Sequence, residues 1–503
     1  MKICLSLQRR FAPVGHRTAV KLKERFGSGI EFCAYVARRS NLELLRSQQD
    51  IPYTSLLLDE DVHDRYRDEL LDPAYLAWFE KEYGLPNLWP YLAVDRVIMH
   101  GSGVREYPHD APPYTHEEML RLLQVHAKAI IEFLEKEKPD AVYLPVIGAL
   151  GTMLLYHIAK RKGISVLIGA ETRLNRGYIL SEDYRTVSFA QARFEELRRT
   201  SARSLRADDA RAYLDDFRAK PHSYLYMMQK KPDSPQRTAL RWFASARIFR
   251  AFAWYCRLVW RFFTTRQQRD YSESRPLGFL LDGINRKIRM LRGYDDLYDA
   301  PEWDQPFAYY PLHYEPEIAT LLLGPFWTDQ INLVRQIARS LPVTHLLYVK
   351  DHPVMLGYRP RWYYRELKKI PNVKLLSPNT DSFELIRRSE LVTTISGTAG
   401  WEAVIFGKPV ITFGDVYYNA LSTVTRCSDI EQLPALVQRS IQHNEPNEEE
   451  LRDFIAAMLE DSEELALHEI WEKGMDRAEE ERRLDAFATL LARKLGLHGE
   501  GTV

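Results

Sequence analysis

At 503 residues the chain is too long for one core and divides into about two or three domains. Its hydrophobic content of 45% beside 27% charged residues is that of a folded globular protein, and 69 basic residues balance 69 acidic ones, which excludes a global field toward nucleic acid or membrane. Four dispersed cysteines without a CxxC pair exclude a disulfide framework or structural zinc, and no uncharged run approaches the ~18 residues that span a bilayer, so a cytoplasmic protein is expected.

The first half alternates strand and helix patterns. KICLSL, from Lys2 to Leu7, predicts a first strand, and EFCAYVA a second. THEEMLRLLQVHAKAIIEFLEKEKPD has apolar residues at helical spacing, with Thr115 and Glu118 forming a capping-box pattern. AVYLPV, GALGTMLLYHIAKRKG and ISVLIG then read as strand, helix and strand, with Gly163 stopping the helix. Such a unit implies a parallel sheet with a right-handed crossover.

Between the halves, Arg241 to Arg269 holds seven arginines, nine aromatics and no acid. It supports two readings: a basic aromatic helix lying on an anionic membrane or docking to a partner, or an interdomain helix whose aromatics pack on both domains while arginine heads reach water. The second half repeats the alternation in FAYYPLH, TDQINLVRQIARSLP, HLLYVKDHP, NVKLLSP, SFELIRRS, LVTTIS and PVITFG, and the end of the chain is helical in pattern. The expected organisation is a Rossmann-like domain over 1–235, a basic aromatic helical linker over 236–300, a second Rossmann-like domain over 301–430 and a helical region over 431–503.

Ligands of open α/β sheets sit beyond the carboxyl ends of the strands. His313, Glu315 and Glu317 follow one strand of the second half; Lys350, Asp351 and His352 follow another. The turn Ser396-Gly397-Thr398-Ala399-Gly400 follows a third. Its small residues let backbone N–H groups approach an anion, Ser396 and Thr398 add hydroxyls, and the helix after it points its positive end there. It is neither a Walker loop nor a GxGxxG fingerprint, and a capped strand-to-helix turn explains it as well. Lys350 and His352 add charge or a proton for a phosphate, and Glu402 an acceptor for sugar hydroxyls. Taken singly, each also fits a solvated lysine, a histidine on a buried carbonyl, or a helix-dipole acid.

YYPLHYEPE, YVKDHP and TISGTAGWEAVIFGKPVITFG, over about residues 305 to 420, resemble the C-terminal signature of bacterial capsule polysaccharide biosynthesis proteins, a group that includes Kdo-transferring enzymes. KPDAVYLPVIGALG and ETRLNRGYILSED extend the likeness weakly. The resemblance implies an α/β, GT-B-like fold, with two Rossmann-like domains whose parallel sheets face a cleft, the acceptor-side one over 1–235 and the nucleotide-sugar-binding one over 301–430, plus C-terminal helices, and it makes 241–269 a contact to a peripheral membrane surface or a capsule-assembly complex. It implies a glycosyltransferase that needs no metal or other cofactor. His352 would stabilise the leaving phosphate, and Ser396, Gly397 and Thr398 would bind it, with Lys350, His313 and Glu402 as further donor-site residues. Pro311 to Glu317 departs from the GQVEDD of the Kdo-transferring relatives, so the donor need not be CMP-Kdo.

Transfer needs a base for the acceptor hydroxyl and a positive setting for the departing phosphate. Glu171, after ISVLIG and near Arg173, and Glu315 are the candidate bases; either also reads as a salt-bridged structural acid. His16, in the loop expected after the first strand, is an outside candidate. The acids of DDLYDA, Asp295 to Ala300, read as a solvated loop rather than a metal motif. The expected function is transfer of a sugar from a nucleotide-sugar donor to a growing capsular or surface polysaccharide or glycolipid. A nucleotide-sugar 2-epimerase and a noncatalytic glycan-assembly scaffold are the alternatives.

Overall fold

A computed structural model of the chain describes residues 1–101, 112–174, 176–222, 247–264, 276–465, 467–470 and 476–497. The expected boundary at 235/236 and the ends of the 241–269 segment lie outside these residues. The chain forms two compact units. The first comprises Met1–Ile98, Pro113–Arg206 and Phe454–Val503; the second comprises Met99–Pro112 and Ala207–Asp453. The C-terminal helices expected from residue 431 are therefore shared out, those after residue 453 belonging to the first unit.

The sheet of the first unit contains β1 (Lys2–Leu7), β2 (Glu31–Val36), β3 (Tyr53–Leu58), β4 (Ala141–Leu144), β5 (Ser165–Glu171) and β6 (Gly177–Ser181). Their order is β6-β5-β4-β1-β2-β3, parallel except for β6, whose outer edge pairs antiparallel with a two-residue strand, Glu463–Glu464. Helix α1 (Phe11–Phe26) follows β1, α2 (His116–Glu137) precedes β4, and α3 (Leu150–Arg161) joins β4 to β5. The Thr115 capping box forms, Glu118 accepting from the Thr115 N–H at 2.7 Å and donating its own N–H to the Thr115 hydroxyl at 3.3 Å. Gly163 takes φ 72° past the end of α3, a left-handed stop that costs glycine nothing.

One expectation about this region fails. His16 lies inside α1 rather than in a loop, its ring beside Tyr53 Oη at 3.1 Å and Asp50 at 3.3 Å. Gly15 signals no turn: a Cβ there would come within 2.6 Å of Leu7 Cδ2, so the glycine lets helix and strand approach closely.

The second unit holds β7 (Phe307–Pro311), β8 (Leu346–Lys350), β9 (Val373–Leu376), β10 (Leu391–Thr394), β11 (Val410–Thr412) and β12 (Val424–Arg426) in the order β9-β8-β7-β10-β11-β12. Every pairing is parallel. Its helices include α4 (Arg247–Thr264), α5 (Pro276–Arg292), α6 (Gln330–Ser340), α7 (Ser382–Arg388) and α8 (Thr398–Ile405). The central strands are almost continuously buried because helices cover both faces, which is why they read as apolar runs rather than alternating ones. β3, β6 and β12 were not legible in sequence; β3 is largely half-buried and β12 is three residues long. Both units are thus Rossmann-like α/β layers.

Candidate active site

Strand order in the second unit reverses between β7 and β10, and a doubly wound sheet binds its ligand at such a switch point. His313 follows β7 and Ser396-Gly397 follows β10, so the two stand side by side. The His313 Nε2 accepts from the Ser396 N–H at 3.4 Å and lies 3.1 Å from Thr394 Oγ1, which itself accepts from the Gly397 N–H at 3.0 Å. Nε2 thus acts as an acceptor, placing the proton of the neutral ring on Nδ1. Burial, with Arg359 nearby, lowers this histidine to about 4, so it is neutral at pH 7.

The turn is built for close approach. A Cβ on Gly397 would meet Thr394 Oγ1 at 2.9 Å and His313 Nε2 at 3.1 Å, and one on Gly400 would meet the Tyr418 hydroxyl at 2.4 Å. That hydroxyl donates to the Gly397 carbonyl at 2.6 Å. The small residues therefore serve internal packing as well as access. Residues 396–399 are half-buried, and α8 begins at Thr398 with Gly397 as N-cap and no side chain capping it. In the first turn of α8 the Gly400 N–H donates to the Gly397 carbonyl at 3.1 Å, while the N–H groups of Thr398 and Ala399 come before any intrahelical acceptor. The Ser396 hydroxyl, expected as a ligand donor, donates instead to the Ala319 carbonyl at 2.6 Å.

At the tip of β8 the Lys350 Nζ donates to Ser382 Oγ at 2.5 Å. Burial pulls its pKa down, while Glu402, Asp381 and Asp351 pull it up. Glu402, in α8, is also buried and lies near Tyr309 and Tyr418. The His352 Nδ1 accepts the Val354 N–H at 3.2 Å, capping the turn Pro353–Met355. Burial first, then the charges of Arg359 and Lys350 and the His313 ring, push His352 down to about 3. A neutral ring whose Nδ1 accepts carries its proton on Nε2, so His352 offers a neutral N–H donor rather than a cation.

Glu315 is held differently. Its carboxylate pairs at 3.0 Å with Arg359, a fully buried guanidinium that also binds Asp351 at 2.9 Å and the His313 carbonyl. Asp351 accepts in addition from the hydroxyls of Tyr298 at 3.0 Å and Tyr364 at 2.9 Å. Gln330 Oε1 takes the His313 N–H at 2.7 Å and the Tyr310 hydroxyl at 3.0 Å. Arg359 and Gln330 went unnoticed in the sequence: nothing in YRPRW distinguishes Arg359 from the arginine two places on, and Gln330 looks like any first-turn helix residue. Glu171, at the end of β5 in the first unit, stands 3.6 Å from Arg173. Within DDLYDA, Asp296 pairs with Arg361, and Asp299 with Lys368 at 2.7 Å, so these acids brace the sheet.

The second unit is thus a Rossmann-like α/β layer with a polar switch point. Residues 327–432 match the family described as capsule polysaccharide biosynthesis protein, and the resemblance carried by YVKDHP and ISGTAGWEAVIFGKP is to that family. YYPLHYEPE precedes the matched stretch. Protein FixF of Sinorhizobium fredii is 31% identical over 156 residues, 30% of this chain and 36% of that protein, so the match spans about a third of the relative's length. Among solved structures, the β-Kdo 2,4 transferase KpsC of Thermosulfurimonas dismutans is similar at 16% identity over 64% of this chain and 80% of that one, with a TM-score of 0.30. The UDP-GlcNAc 2-epimerase of Methanocaldococcus jannaschii is similar at 13% identity over 92% and 99%, with a TM-score of 0.26. Likeness of this extent assigns no reaction.

Proposed function

We propose that the protein is a metal-independent glycosyltransferase of the cytoplasm that moves a sugar from a nucleotide-sugar donor to a growing capsular or surface polysaccharide or glycolipid. The observation that supports this reading most is the uncapped start of α8 at the switch point of a parallel sheet, flanked by Lys350 and the neutral His352. In the proposed reaction the acceptor hydroxyl attacks the anomeric carbon, its proton passes to a base, and the nucleotide departs with the bonding pair. The growing phosphate charge is met by the N–H groups of Thr398 and Ala399, the His352 Nε2–H and the Lys350 ammonium, while Gly397, whose own N–H is held by Thr394 Oγ1, lets the phosphate approach. Ser396, whose hydroxyl is bound to Ala319, and His313 hold the turn in shape, and Glu402 accepts hydroxyls of the donor.

Glu315, paired with Arg359, is proposed as a positioning acid, and Glu171, beside Arg173, is kept as a candidate base. The test is a thermal-shift series with CMP-, UDP-, GDP- and TDP-sugars, followed by transfer to an acceptor with and without EDTA. One nucleotide class should stabilise the fold, by about 2.7 kcal/mol at ~100-fold saturation. Epimerisation of the donor without any acceptor would overturn the transferase reading.

A further inference from the structure

Among the described residues, eleven of the twenty-two exposed large apolar side chains belong to two helices, α4 and α5. They are ordered along those helices. On α5, Leu277, Leu280, Leu281, Ile284, Ile288 and Leu291 recur at spacings of three and four, the signature of one helical face, and each is between 38% and 65% exposed. On α4, Phe252, Trp260 and Phe263 mark a second stripe, each at least two-thirds exposed, with exposed Cys256 between them. Trp254 of α4 rests on Phe279 of α5, ring centroids 4.9 Å apart, so the stripes belong to neighbouring helices. A folded protein rarely leaves such a contiguous apolar surface open to water.

The charge around the stripes is of one sign. The two helices carry eight lysines and arginines and a single acid, Asp282, which is buried. The opposite side of α5 is anchored to the loop between the candidate site residues His352 and Arg359. Arg286 binds the Tyr358 hydroxyl and covers its ring at 4.7 Å, and Arg289 donates to the Tyr358 carbonyl at 2.9 Å. Gly357, at φ 83°, passes so close that a Cβ would stand 2.8 Å from Met290 Cγ.

We infer that α4 and α5 together form an interfacial platform that lies on an anionic lipid surface, apolar stripes in the acyl boundary and cationic heads among the phosphates, with the loop from His352 to Arg359 held on the far side of α5, about one helix diameter (~10 Å) from that surface. Three properties select this occupant. Rings and branched chains beside long cationic side chains suit the boundary between headgroups and hydrocarbon, where arginine stems lie along the apolar layer while the guanidinium stays wet. A second copy of the same face would bring cationic helices together with no exposed acid on either helix to pair them, whereas anionic headgroups neutralise them. No helix among the described residues is long and apolar enough to cross a membrane, so the platform lies on the bilayer.

The inference goes beyond the transferase proposal and stands apart from it, because it is read by binding rather than turnover. The full chain is floated in a density gradient with vesicles of equimolar phosphatidylcholine and phosphatidylglycerol, and with phosphatidylcholine alone. It should rise with the mixed vesicles only, and binding should weaken as salt is raised from ~0.1 to ~0.5 M. The double variant Ile284→Asp/Ile288→Asp on α5, and separately Arg257→Glu on α4, should each lower the vesicle partition coefficient about tenfold, which corresponds to about 1.4 kcal/mol. Both variants change exposed positions, and an unchanged melting temperature confirms that they fold. The platform is overturned if the wild type does not float with the mixed vesicles, if it floats equally with phosphatidylcholine alone, or if the double variant floats like the wild type. It is also overturned if light scattering shows a dimer that the double variant dissolves without any flotation, since a second copy would then cover the face.

Discussion

Arg359 shows how much a single buried side chain can organise. Its guanidinium joins the residues after β7 to those after β8, with Glu315 on one nitrogen and Asp351 on the other. Arg359→Met would leave two carboxylates buried without their cation, and a loss of about 3–5 kcal/mol is expected from urea unfolding. Glu315→Gln keeps a hydrogen-bond acceptor for Arg359 and should cost less, so equal losses would contradict this account. His352→Ala, which removes the Nε2–H donor, should cut kcat about 10²-fold or more, while the lost cap on Val354 costs only about 1 kcal/mol of stability.

The histidines also set a pH dependence. His313 and His352 fall from 6.5 to about 4 and about 3, chiefly through burial, and His157 and His63 of the first unit fall likewise to about 4 and about 3. Each folded-state value lies below the unfolded one, so the unfolded chain binds more protons below pH 6.5. Stability should therefore drop as pH falls from 6.5 toward 4, by up to about 1.4 kcal/mol per pH unit for each histidine. Urea midpoints at pH 7, 6 and 5 should show the slope, and His313→Gln should make it shallower.

At the scale of elements, the turn into α8 is a strand, two packed glycines and an uncapped helix start. Gly400→Ala would push a methyl group into the Tyr418 hydroxyl, which holds the Gly397 carbonyl. We expect it to weaken nucleotide-sugar binding tenfold or more, about 1.4 kcal/mol, in the thermal-shift assay. Tyr418→Phe, which removes the nearest clash but leaves Cζ at 2.9 Å and loses the hydrogen bond, should recover part of the binding in the double variant. The turn was recognisable in sequence because a run of small residues between two apolar segments has few uses. The reason for each glycine was not, since His313 and Tyr418 reach the turn from positions 84 residues before Gly397 and 18 residues after Gly400.

At the scale of the molecule, the chain returns to its first unit after completing the second. The C-terminal helix Arg477–Lys494 inserts Phe487 against Phe11, Tyr143 and Tyr178, with ring centroids 5.6 to 6.2 Å apart. Phe487→Ala should destabilise the first unit by about 3–5 kcal/mol, seen as early proteolytic cutting within residues 1–206 while 276–453 stays protected. Cutting confined to the last helix would contradict this.

Local chemistry by itself determined the alternating strands and helices, the capping box at Thr115, the stop at Gly163 and the motifs at β8 and β10, because each depends on neighbours within a few residues. It also picked out the arginine-rich aromatic segment. Only the tertiary structure decided that β7 and β10 flank the switch point, that Glu315 is neutralised by Arg359, and that the C-terminal helix completes the core of the first unit. These depend on pairings between residues 44 to 476 positions apart, which no local pattern encodes and which only the closed sheets and their buried charges select.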